Sequence, residues 1–179
     1  MNSIFIHIAY LATIVLLLVF YRRKNQTNTI TPDADFWEIT DDKDVKTSEI
    51  VKQIKENGYD VSSWSTITDE LFPAPAETKK YKCKATIESD AEHKGKSYND
   101  FTAEEQQYMN GRQYLILFLA CIKKGIKIDV KGWTRTTSLW PDGSVVLGFS
   151  YSDRSGVSLG GGDRGNRDAD FGPRALYPL

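Results

Sequence analysis

The sequence predicts an α+β protein: a single N-terminal transmembrane helix, followed by one domain with two helices and a C-terminal antiparallel β meander. Three observations carry this. Ile4–Tyr21 is an almost uninterrupted apolar run. Between residues 48 and 124, two stretches place apolar side chains at helical spacing. Beyond Gly125 the pattern becomes short alternating runs separated by turn residues, which reads as a meander. Helices followed by a run of strands define the α+β class.

The first run, IFIHIAYLATIVLLLVFY, is eighteen residues long, against the roughly 20 apolar residues that cross a bilayer core as a helix. Phe20 and Tyr21 stand at its exit, where aromatic rings suit the headgroup layer. His7 falls in the first turns and reads as interfacial rather than as a buried proton relay. A cleaved signal peptide would need a basic residue before the run and small residues after it, and the sequence has neither. Arg22, Arg23 and Lys24 follow the run, with only the α-amino group on the other side. The positive-inside rule then puts the N-terminus outside and the domain in the cytoplasm. The expected organisation is an anchor with basic flank over 1–24, a juxtamembrane linker over 25–35 and a globular domain over 36–179, with the lipid bilayer as partner of residues 4–21.

Composition narrows the function. The chain has a formal net charge of −1, and its first 30 residues hold three basic side chains and no acids. The remaining 20 basic and 24 acidic residues leave the domain near −4. No basic stripe is available to neutralise phosphates, so nucleic acid is excluded as a partner. Cys83 and Cys121 lie far apart with no CxxC and no histidine at ligand spacing, which argues against structural zinc. A single disulfide between them and simple burial both stay open.

The elements follow in order. Asp33–Asp44 carries six acids against Lys43 and reads as a solvated lead-in loop whose Phe36, Trp37 and Ile39 plug into the domain. Ser48–Asn57 is a helix, with Thr47 or Ser48 as cap, Ile50, Val51 and Ile54 on one face, and Gly58 as the stop. Tyr59–Phe72 reads as a strand or short helix, broken by Pro73-Ala74-Pro75. Tyr81–Ile87 alternates as a strand with Tyr81, Cys83, Ala85 and Ile87 on one face. Glu88–Asn99 is a charged loop containing His93. The second helix starts at a Thr102/Glu105 capping box and runs through Tyr108, Arg112, Leu115, Leu119 and Ile122 to a Gly125 stop. Its nine-residue apolar core, YLILFLACI, is too short for a second span. Then come an alternating strand IKIDVKGW, a Pro141-Asp142-Gly143 turn, a strand SVVLGFSYS, a turn at Asp153–Gly156, a short strand VSL, a loop Gly160–Asp170 and a closing segment Phe171–Leu179.

The loop GGGDRGNRDAD has the most chemical potential. Asp163, Asn166, Asp168 and Asp170 supply oxygens of the kind calcium takes, whereas the interleaved Arg164 and Arg167 offer plain salt bridges instead. Both readings stay open. The glycine triplet lacks the GK[ST] ending of a phosphate loop. No catalytic set assembles: His7 and His93 are the two histidines, no serine sits in a GxSxG elbow, and a glycosidase carboxylate pair cannot be located. Trp133, Trp140, Phe149 and Tyr151 form either an aromatic binding surface or core.

The C-terminal tract GWTRT, then DGSVVLGFSYSDRSGVSLGG, then NRDADFGPRAL, resembles the end of C-type-lectin-like domains of the formylglycine-generating-enzyme and retroelement variable-protein type. Their W-x-R/S-S/T strand, "dGsv" hairpin, Arg/Asn/Asp-rich loop and closing G-[FV]-R strand have counterparts over residues 100–179. The EPN and WND calcium signatures of sugar-binding lectins are absent, and no cysteine lies in the tract to carry the oxidase chemistry. The resemblance implies a display scaffold whose loops bind another molecule. The expected function is a membrane-anchored binding module presenting Trp133, Arg135, Trp140, Tyr151, Asp163, Arg164, Asn166, Arg167, Asp168 and Asp170 to a protein or glycan partner. The alternative is a structural subunit of a membrane-associated assembly with no ligand of its own.

Overall fold

The structure is a computed structural model that describes residues 30–31, 34–151 and 156–179. The elements are β1 (Phe36–Asp41), α1 (Thr47–Glu56), β2 (Asp60–Ser63), β3 (Lys79–Lys84), a 3-10 turn (Ala91–His93), α2 (Tyr98–Phe101), α3 (Gly111–Ile122), β4 (Trp133–Leu139), β5 (Val145–Ser150), β6 (Gly156–Gly162), β7 (Phe171–Pro173) and β8 (Tyr177–Pro178). They form a three-stranded sheet β1-β3-β8 and a five-stranded sheet β2-β6-β5-β4-β7.

Helix α3 is the centre of the core, and all twelve of its residues are buried. One side packs on β1 and α1, the other on β4 and β5. It starts at a reciprocal cap: the Asn110 side chain accepts the Gln113 N–H, and the Gln113 side chain accepts the Asn110 N–H. It stops at Gly125, which holds a positive φ of 70°. Truncating a buried ring such as Phe118 would cost about 3–5 kcal/mol, because neighbours collapse only partly into the void. Helix α1 is capped from a distance: Asp69 accepts both the N–H and the hydroxyl of Ser48.

Two fully buried arginines tie these layers together. Arg112 on α3 donates from Nε to Asp41 Oδ1 at 2.7 Å, from Nη1 to Thr47 Oγ1, and from Nη2 to the carbonyls of Asp42 and Val45. Arg174, between β7 and β8, donates from Nη2 to Asp129 Oδ1 at 2.6 Å, from Nε to Thr134 Oγ1, and from Nη1 to Thr86. Burial pushes the Asp129 carboxyl up, with Arg174 and the Thr134 hydroxyl working against it. Cys83 and Cys121 are both free and buried, and burial pushes each thiol up to about 12.

The structure corrects the expected architecture. Among the described residues no helix is long and apolar enough to cross a membrane; the anchor read at residues 4–21 and its basic flank lie outside the described residues. The transmembrane helix, the single-pass membrane placement and the cytoplasmic orientation drawn from Arg22, Arg23 and Lys24 are therefore without structural support. The physical reason for caution is visible in α3. Hydropathy marks a segment that avoids water, and α3 avoids it by burial in protein, spanning only about 18 Å against a hydrocarbon core of about 30 Å. The C-terminal sheet is also more than a meander. Strands β2 and β7 join as parallel edges to β6 and β4, and the acid-rich lead-in is β1, paired with β3. Ile30, read as linker, is buried, and the Thr31 carbonyl accepts the Trp37 indole N–H.

Candidate functional site

Alternate residues of a strand face opposite sides of its sheet, and this sorts the C-terminal tract into two faces. Thr134 and Thr136 on β4 are fully buried; Thr134 bonds to Asp129 and Arg174. Trp133 and Arg135 take the opposite, outer face. There Trp133 stacks on Phe149 of β5, with ring centroids 3.8 Å apart, and on Phe171 of β7 at 5.2 Å. Tyr151 extends the strip edge-on to Phe149, its hydroxyl 3.3 Å from Ser62 on the far edge strand. Trp133 reaches across to β6 because Gly160 leaves room; a Cβ there would lie 2.8 Å from the indole.

Arg135 sits in this strip with no exposed surface. Its guanidinium carbon lies 5.3 Å from the centroid of the Phe171 ring. Its cross-strand neighbours are Leu147 and Pro173, which carry no side-chain acceptor. Nε and Nη2 have no hydrogen-bond partner among the described residues. Burial holds Arg135 below the usual guanidinium range, against the longer-range pull of Asp168, Asp100 and Asp163.

The segment 163–170 beside this strip is exposed throughout and fastened at two points. Arg164 donates from Nε to the Gly143 carbonyl at 2.9 Å and lies against the Tyr98 ring. Arg167 grips Asp100 through two bonds, Nε to Oδ2 at 3.0 Å and Nη2 to Oδ1 at 2.7 Å. Arg167 and the Ser97 hydroxyl and N–H hold the Asp100 carboxyl well below the usual range. Where β5, β6 and this segment meet, a cleft of about 530 Å³ opens, walled by Trp64, Asp142, Ser144, Asp163 and Arg164 over a Gly161 floor. Trp64 is 64% exposed yet held firmly. Its Nε1 donates to Asp142 Oδ2 at 2.9 Å, and a Cβ on Gly161 would come within 3.0 Å of its ring. One face of the indole thus rests on the sheet and the other meets solvent. Hydrogen bonds from Ser144 and Trp64 bring Asp142 down to about 2, so the carboxylate that orients the indole is ionised across the physiological range.

The site residues expected from the sequence separate into groups. Trp133, Arg135 and Tyr151 share the outer face, and Asp163 and Arg164 line the cleft. Arg167 serves the tie to Asp100. Trp140 is buried, packed edge-on against Phe72, with its indole N–H donated to the Gly160 carbonyl. Asp163 and Asp168 each accept an N–H two residues ahead, from Gly165 and Asp170. Asn166 is exposed, and the Asp170 carbonyl accepts the Trp133 N–H. Among the described residues no group of three or more His, Cys, Asp or Glu is placed to hold a metal. Trp64 and Asp142 escaped the sequence reading. The one available signal was a tryptophan set in the polar run SSWST, where neither helical nor strand periodicity calls for a large ring. No protein-family model, curated protein or solved structure matches the chain.

Proposed function

We propose that this domain is a binding module whose C-terminal loops take a glycan, with the open face of Trp64 as the stacking platform. The observation that carries it is the combination at Trp64 of 64% exposure with a fixed ring. An exposed aromatic ring held in one pose beside a cleft with polar walls offers a stacking surface with hydrogen-bonding groups around it. A ring already held by Asp142 and Gly161 loses little further freedom on binding, which favours affinity. A sugar presents an apolar C–H face to an indole and hydroxyls around its rim. Arg164 and Asp163 flank the indole with a donor fork and a carboxylate of the kind that rim needs. The resemblance to C-type-lectin-like domains agrees with a loop-borne ligand site. Oligosaccharide arrays probed with the full chain should show capture that Trp64→Ala loses while its unfolding transition stays cooperative. Capture unchanged in Trp64→Ala, or none at all alongside a stoichiometric protein partner, contradicts the glycan reading.

A further inference from the structure

We infer that the Nε/Nη2 edge of Arg135 is a binding site for a small oxyanion, the carboxylate or phosphate group of a ligand that reaches the outer face of the five-stranded sheet. This inference is independent of the glycan reading and concerns a different place, the aromatic strip rather than the cleft.

The unpartnered atoms define the shape of what is missing. Nε and Nη2 point their hydrogens to the same side of the guanidinium plane edge, and that edge accepts two oxygens of one planar or tetrahedral anion at once. The molecule shows the pairing on its own surface, where Arg167 uses these same two atoms on the two oxygens of Asp100. It also shows what a finished buried arginine looks like. Arg112 and Arg174 are fully buried as Arg135 is, yet each has its Nε, Nη1 and Nη2 bonded, and each faces a carboxylate. A buried cation without such partners is costly, and its two orphaned donors accept either water or an anion.

The surroundings favour an anion over a protein carboxylate. The side chains of Leu147, Pro173 and Phe171 around Arg135 offer no acceptor. The three carboxylates that pull on Arg135 are otherwise engaged: Asp100 is held by Arg167, while Asp163 and Asp168 accept N–H groups of their own loop. They lower the cost of an unpaired cation at a distance, and they also oppose an incoming anion. That opposition sets a requirement. The ligand must bring a bidentate group, which gains two charge-assisted bonds, and a halide would not suffice. The Asp163 and Asp168 carboxylates that pull on Arg135 belong to an exposed segment fastened through the Arg167–Asp100 pair.

The test follows the arginine Nε–H resonances of the full chain during titration with inorganic phosphate and, separately, with acetate, at ionic strength held constant with chloride. The expected result is a saturable shift of Arg135 Nε–H with at least one of the two, while Arg112 and Arg174 stay still. The anion that acts identifies the source, phosphate ester or carboxylate. In parallel, that anion at a hundredfold excess over its Kd should raise Tm by about 5 °C, and Arg135→Gln should lose this increment. If Arg135→Gln does not fold, the resonance shift alone decides. No shift with either anion overturns the inference. So does an equal rise of Tm in Arg135→Gln, which is a general salt effect. A resonance that moves in Asp168→Asn but not with added anion shows that the loop itself supplies the partner, and this too overturns it.

Discussion

The two faces of the five-stranded sheet treat buried charge in opposite ways. On the inner side, Arg174 is enclosed by Asp129, Thr134 and Thr86, and every one of its nitrogens is bonded. On the outer side Arg135, one residue along β4 from Thr134, is equally hidden from solvent and has two nitrogens without partners among the described residues. The inner guanidinium is completed by the fold, and the outer one is left open at the centre of an aromatic strip. A protein that completes one buried guanidinium and not its neighbour separates structural from functional charge, since unsatisfied buried groups persist where something other than stability retains them.

The contrast breaks most visibly on the inner side. Arg174→Met leaves Asp129 as an uncompensated buried carboxylate, and chemical denaturation should show a loss of about 3–5 kcal/mol. Arg112→Met strands Asp41 in the same way, with a loss of similar or slightly smaller size because Asp41 is 3% exposed. At the cleft, Trp64→Ala should cost no more than about 1 kcal/mol, the value of one hydrogen bond at an exposed ring, while glycan capture disappears. The smallest effect concerns pH. The Asp142 carboxyl lies near 2 when folded and about 3.9 when unfolded. Its contribution is therefore complete above about pH 4 and fades as the pH falls toward 2. Trp64 fluorescence, taken as the difference between the chain and Trp64→Phe, should be flat from pH 7 to 4 and change only near pH 2. A transition near pH 4 would mean that Asp142 does not orient the indole.

Much of the domain was legible in the sequence where periodicity and turn chemistry agreed. The apolar face of α1, the alternation of Tyr81 and Cys83, the Pro141-Asp142-Gly143 turn and the strand through Val145–Ser150 all stand. The failures share a cause, which is contacts made far along the chain. FWEITD read as a solvated loop with Phe36, Trp37 and Ile39 plugging inward; it is a strand in which Trp37 and Ile39 are buried, Phe36 is exposed, and Asp41 turns inward to meet Arg112, 71 residues later. IKIDVKGW read as a strand, but Asp129 takes a φ of 51° that aims its carboxylate at Arg174. The Thr102/Glu105 cap was a decoy: Tyr108 and Met109 bond to the C-terminal segment, and α3 waits for Asn110. In the site, the sequence marked Arg135 and Arg164 by their place in the tract. Beyond the polar setting of Trp64, nothing in it showed that this ring, just past edge strand β2, walls a cleft with Arg164.

The most direct test of the difference between the faces is the stability of Arg135→Met, measured by urea denaturation of the full chain without added oxyanion. An unpaired buried cation replaced by an apolar side chain of similar length should leave stability unchanged or raise it by about 1–2 kcal/mol. A loss of about 3 kcal/mol or more, matching that of Arg174→Met, would show that Arg135 is a structural arginine like the other two and that the outer face holds no open site.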